Sequence, residues 1–211
     1  VPPKRAQRED PRAPIVREAV RLTGARGFGA ISIAEVAEAA GMSKQALMHH
    51  FRTKEALKEA VLAHLLAYAN ACLVSLMGEL GPDSSGRLEQ VLDFIQASFD
   101  REPAAAAVTL RFLLDGDEEA VSAIRDGVQP WLRFMTDELH REQLSGRVRK
   151  DLDVEAAVAQ VGMLVLTNFA LLPIHGWTKS SPREWRKRRL AELVRAIQLI
   201  LFAPAPPPPR R

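Results

Sequence analysis

Apolar side chains recur every three or four residues along most of this chain. No stretch alternates apolar and polar positions for long enough to make a strand, so the pattern predicts an all-α protein. The first helix opens at Pro14 and carries Ile15, Ala19 and Leu22 on one stripe until Gly27. A second starts at Ser32, where Ser32 and Glu35 form a capping box; Ile33, Val36, Ala37 and Ala40 share its inner face, and Gly41 supplies the positive φ that ends it. Ser43 then caps a short helix over residues 44–51 with Leu47 and Phe51 inward. Thr53 caps a long one in which Leu57, Val61, Leu65, Cys72, Leu73, Leu76 and Leu80 recur until Gly81 and Pro82. Residues 82–86 read as a loop of turn formers. Five further helices are predicted: 87–100; 103–114, opened by Pro103; 117–143, bent near Gly127 and Pro130; 153–172, capped by Asp153; and 182–202, opened by a second capping box at Ser181 and Glu184.

The segment 32–58, SIAEVAEAAGMSKQALMHHFRTKEALK, is a helix, a three-residue turn, a second helix and the start of a third. That arrangement is a helix-turn-helix, and it makes double-stranded DNA the first partner to consider. Together with the preceding GFGA, this run resembles the DNA-binding domain of the TetR (tetracycline-repressor-like) family of bacterial transcriptional regulators. The resemblance covers residues 14–60, with the glycine, serine, aromatic and lysine markers in register. It implies an N-terminal three-helix head joined by a long helix to a C-terminal ligand-binding and dimerisation domain. The chain is accordingly divided into a basic tail (1–13), a head (14–60), an effector-binding and dimerisation domain (61–203) and a Pro-rich tail (204–211), both tails expected to be disordered.

The first residues of the second helix of such a motif enter the major groove. Here Lys44 can donate to guanine or to phosphate, Gln45 can pair with the adenine edge, and Ala46 can touch a thymine methyl, with His49 one turn on. His49 and His50 point in different directions. One is expected to meet phosphate and the other to pack near Phe51, and which does which stays open. Lys54 matches a family position that contacts phosphate, and the positive end of the long helix favours an anion beside it. The capping residues Ser32, Ser43 and Thr53 complete the candidate DNA contacts. The match has departures. Met48 stands where the family commonly has a Tyr that hydrogen-bonds phosphate, Gln45 where Gly or Pro is common, Ala46 where Thr is, and Ala34 where a polar or basic residue is frequent. An unusual operator with somewhat fewer phosphate contacts is the expectation.

Charge sharpens the picture. Residues 1–58 carry eleven Lys/Arg against six Asp/Glu, a net +5, while the remainder carries eighteen against twenty, a net −2. The basic excess lies with the helix-turn-helix, as a polyanionic partner requires. One cysteine, Cys72, excludes an internal disulfide framework and fits a reducing cytoplasm. The N-terminus lacks the apolar core of a secretory signal. The stretch 161–174 is apolar but too short to span a bilayer, so no membrane partner is expected.

Two functions are assigned to the remaining helices through the resemblance. The last two are expected to pair with their copies in a homodimer, with Gly162, Leu166, Phe169, Leu190, Val194, Ile197 and Leu201 at the interface; both are equally readable as core. Phe94, Phe99, Thr109, Phe112, Trp131, Phe134 and Met135 are the candidates for an effector pocket, although core packing explains the same pattern. The function expected is a sequence-specific DNA-binding regulator, a repressor released by a small hydrophobic effector. The alternatives are a constitutive DNA-binding protein of the same fold and, remotely, an all-α enzyme. The chain has no glycine-rich phosphate loop, zincin motif or Glu-x-x-His pair, so no cofactor, metal or catalytic residue is expected.

Overall fold

The computed structural model describes residues 10–79, 87–171 and 180–202. The loop expected at 82–86, most of the first tail, the C-terminal tail and the last residues expected of helix 153–172 lie outside them. Nine helices are described: α1 (Ala13–Arg26), α2 (Ile33–Ala39), α3 (Lys44–His50), α4 (Lys54–Glu79), α5 (Arg87–Arg101), α6 (Ala105–Asp115), α7 (Glu118–Leu144), α8 (Val154–Ala170) and α9 (Pro182–Leu201). Among the described residues the one β-type pairing is an isolated antiparallel bridge between Val148 and Phe202, which the sequence pattern did not indicate.

Helix starts follow their caps closely. Ser32 Oγ accepts from Glu35 N–H at 3.2 Å while the Glu35 carboxylate accepts from Ser32 N–H at 2.7 Å. That bond, with the Arg26 guanidinium at 2.8 Å, holds the Glu35 carboxyl down to about 2, so the box is ionised at neutral pH. Ser181 and Glu184 repeat the device at α9. Ser43, Thr53, Asp117 and Asp153 each accept from the backbone N–H three residues on. Pro103 does not open α6, which begins at Ala105. Gly41 has φ +69°, as the turn between α2 and α3 requires.

α7 runs as one continuous helix through Gly127 and Pro130. Gly127 faces α4: a Cβ at that position would lie 2.3 Å from Leu66 Cδ2, so Leu66 would have to shift to admit a side chain. α8 is apolar but short, whereas Lys54–Leu76 of α4 is long and apolar enough to cross a bilayer by length and composition alone. Its Leu57, Val61, Leu62 and Leu65 are buried in the protein's own core. Alanines 60, 63, 67, 69 and 71 add much of the remaining apolar character.

The core falls into two clusters, and the first crosses the boundary drawn at residue 60. Ile15, Ala19 and Val20 of α1, Val36 and Ala37 of α2, Leu47 of α3 and Leu57 and Val61 of α4 pack with Val108 and Phe112 of α6 and Ala120 and Ile124 of α7. The second cluster joins α8 and α9 through Val158, Val165, Phe169, Leu193, Ile197 and Leu201, with Ala106 and Leu139. Fully burying a Leu such as Leu47 contributes about 1.5–3 kcal/mol. The head is therefore seated on α6 and α7 by apolar packing as well as by the continuity of α4.

Polar links reinforce this seat. Arg111 of α6 donates from Nε to Gly24 O at 3.1 Å and from an Nη to Ala25 O at 2.9 Å, satisfying carbonyls left open at the C-terminal end of α1. Lys58 of α4 meets Asp117, the N-cap of α7, at 2.5 Å, with Glu119 at 3.8 Å.

Candidate nucleic-acid interface

The recognition helix α3 is short, and one residue anchors it. Leu47 is fully buried, and Phe51 closes its C-terminal end at 3% exposure with the Arg12 guanidinium 5.4 Å from its ring centroid. With that face fixed inward, Lys44, Gln45, Met48 and His49 are exposed, and Ala46 and His50 are half-buried. Of the two histidines, His49 is therefore the more exposed.

The capping hydroxyls are engaged as acceptors, which leaves each O–H free to donate outward. Lys54, expected as a phosphate contact, lines the groove beside α3 and has partners of its own. Its Nζ donates to Gly29 O at 3.1 Å and stands 5.4 Å from the Phe28 ring centroid. It thus ties the α1–α2 loop to the start of α4, and the remaining ammonium donors are what it can offer a partner. Between these elements lies a groove of about 700 Å³, lined by residues 29–34, Lys44, Met48 and residues 52–55. Arg52 is on that wall, exposed. Sequence reasoning missed it, although a cation wedged between a helix-ending aromatic and a capping Thr was a usable signal.

Residues 15–61 match the family model described as bacterial regulatory proteins, tetR family. The match covers the helix-turn-helix head and the start of α4. Its relatives include the HTH-type transcriptional regulator BetI of Brucella canis, 27% identical over 173 residues, which span 74% of this chain and 78% of that protein. Among solved structures, the ketosteroid transcriptional regulator KstR2 of Mycobacterium tuberculosis superposes with a TM-score of 0.71 at 17% identity, covering 94% of this chain and 98% of that one. A putative transcriptional regulator from Saccharomonospora viridis, solved in complex with choline, gives 0.71 at 17% identity over 92% and 98% of the two chains. This protein is thus similar to tetR-family helix-turn-helix transcriptional regulators in the sequence of its head and, in fold, over most of its length.

The helical body distributes the other candidate residues unevenly. Phe112 is 2% exposed and packs 6.2 Å from Phe28 between head and α6, so it belongs to the head's core and not to a pocket. Phe99 stacks on Phe169 at 4.4 Å, which places both inside the α5–α8 packing. Phe94, Thr109, Trp131, Phe134 and Met135 are half-buried. None of the seven effector candidates lines the groove described above or the one between α8 and α9.

For the dimer face, Phe169, Ile197 and Leu201 are buried within the chain itself and are corrected to core. Gly162, Leu166, Leu190 and Val194 are half-buried. The apolar groups actually exposed on α8, at its C-terminal cap and on α9 are Met163, Leu164, Leu171 and Leu199. They were missed because α8 is apolar on several sides and the C-terminal half of α9 carries more apolar residues than one stripe, and periodicity does not say which side the chain covers itself. Leu164 and Leu171 border a groove of about 580 Å³ between α8 and α9.

Proposed function

We propose that this regulator is a homodimeric repressor that holds its operator through Lys44, Gln45 and His49 and leaves it when a small molecule binds the helical body. The observation that carries the DNA assignment is the exposure of these three side chains on a recognition helix whose opposite face is pinned by Leu47. Lys44 and Gln45 occupy the first turn of α3, the part of such a helix that reaches base edges. Ala46, half-buried, is set for a thymine methyl; Ser32, Ser43 and Thr53 serve as helix caps with hydroxyl hydrogens directed at the DNA backbone. His50 and Lys54 are secondary contacts, since both are partly withdrawn into the head.

One recognition helix reads only a few base pairs, so two copies on a two-fold axis are the economical solution. The face formed by Met163, Leu164, Leu171 and Leu199, flanked by the half-buried Gly162, Leu166, Leu190 and Val194, is the dimer surface of this reading. The effector is placed among α5, α6 and α7, where Phe94, Trp131, Phe134 and Met135 are half-buried rather than sealed. A structural neighbour crystallised with choline supports a small-molecule site in this fold. The setting is the bacterial cytoplasm.

The test is selection of duplexes from random oligonucleotides by the full-length protein. A two-fold symmetric site enriched at A- and G-containing positions is expected, and Gln45→Ala should relax preference at one of them by about 1–3 kcal/mol. Absence of any enriched sequence would remove the operator-reading role. Thermal-shift screening with choline and with apolar small molecules then tests the effector, whose binding must both stabilise the protein and release the selected DNA.

A further inference from the structure

We infer that Arg52 is a phosphate anchor of the DNA interface, supplying the backbone contact that Met48 cannot make. This rests on the proposed DNA reading and adds a residue to it. Arg52 lies between the end of α3 and the start of α4, its backbone fixed by buried Phe51 on one side and capping Thr53 on the other. It lines the groove beside α3 together with Lys44, Lys54 and one carboxylate, Glu55, so the lining carries two positive charges in excess. The three cations are not equivalent. Lys54 is drawn onto Gly29 O and the Phe28 ring. Lys44 sits on the first turn of α3, where base edges compete for it. Arg52 is exposed on the groove wall and makes no hydrogen bond or ion pair to any described residue, Glu55 included, so its donors are available to a partner.

Met48 forms part of the same wall, 36% exposed, and its thioether has no hydrogen to give. A phosphodiester against this wall must find its donors elsewhere in the groove. A guanidinium matches it, because its planar fork can give two parallel N–H bonds to one phosphate. The chemistry is sequence-independent: Arg52 adds affinity and fixes register without reading bases.

The experiment measures the binding of the full-length protein to a mixed-sequence duplex long enough for two half-sites, across a range of salt concentrations. Wild type, Arg52→Ala, Arg52→Lys and the distant surface control Lys187→Ala are compared. Each phosphate contact contributes about 0.9 to the slope of log K against log salt, so Arg52→Ala should flatten the slope by about 1.8 for a two-fold dimer, equally on all sequences. Arg52→Lys should keep the slope and bind more weakly, Lys187→Ala should match wild type, and the melting temperature of Arg52→Ala should not move. An unchanged slope in Arg52→Ala overturns the proposal, as does a drop in melting temperature that accounts for the lost binding. Wild-type protein with no salt-dependent affinity for duplex would overturn the DNA reading itself, and this inference with it.

Discussion

The link between Lys58 and Asp117 offers the sharpest test of how the head is seated. Asp117 does two jobs: one carboxylate oxygen meets Lys58 Nζ at 2.5 Å and the other accepts the Ala120 N–H at 3.1 Å as the cap of α7. The side chains are 18% and 27% exposed, so solvent screens the pair only partly. A hydrogen bond to a charged group contributes about 1.5–3 kcal/mol, which screening reduces to about 1–2 here. The cap adds about 1 kcal/mol. Asp117→Ala should therefore cost about 2–3 kcal/mol, and Asp117→Asn, which can still cap, about 1–2.

For a chain of this length that corresponds to a fall in melting temperature of about 4–12 °C and about 2–8 °C respectively. Lys58→Met should resemble Asp117→Asn, and the double variant Lys58→Met with Asp117→Asn should lose far less than the sum of the two. The Lys58 bond, and after it the Ala120 N–H, hold the Asp117 carboxyl below its ordinary value of 3.8. The stabilisation is thus complete above that value and fades as pH falls through the lower folded one. Lys58 is shifted up from 10.5 by the same bond, so on the alkaline side its contribution is complete below that value and lost as pH rises past the folded one. The gap between wild type and Asp117→Asn should be flat across neutral pH and shrink in acid. Thermal unfolding of the four proteins over pH decides the matter. Additivity of the two single substitutions within about 0.3–0.5 kcal/mol would refute the argument.

Two further substitutions probe the same architecture. Arg111→Ala leaves the Gly24 and Ala25 carbonyls without their donor and should destabilise by about 1–3 kcal/mol, with Arg111→Lys recovering only part because it lacks the fork; an unaltered denaturant midpoint for Arg111→Ala would show that water replaces it freely. Gly41→Ala meets no atom within 4 Å, so its cost is backbone strain alone at φ +69°, about 1–2 kcal/mol in thermal unfolding, and a variant as stable as wild type would mean that the turn relaxes.

Much of the fold was legible because its signals are local. A cap bond spans three residues, so Ser32, Ser43, Thr53, Asp153 and Ser181 announce their helices in the sequence, and the helix-turn-helix follows from their order. Gly41 is equally local, since the φ it supplies is its own. Gly127 also faces Leu66, a residue on another helix that no spacing rule connects to it.

Exposure on α3 was readable once Leu47 was recognised as its inward anchor, because a seven-residue helix has few faces to choose from. On α8 and α9 the same logic failed, since α8 is apolar on several sides and the end of α9 is rich in apolar residues, and only packing against α6, α7 and each other decided that Phe169, Ile197 and Leu201 are inside while Met163 and Leu199 are out. Phe112 went to the head for the same reason: its neighbour Phe28 is remote in sequence, and burial is a property of the assembled surface.

The sequence by itself determined the helices, their caps and the DNA-reading motif, because each is specified by residues within a turn or two of one another. The tertiary structure decided what the cations do. Lys58 finds Asp117 across 59 residues and Arg111 finds Gly24 across 87, pairings that exist only after the helices pack. The same packing draws Lys54 onto Gly29 and leaves Arg52 unpaired in the groove: charge is written residue by residue, but which charges are already spent depends on what the fold brings within hydrogen-bond reach.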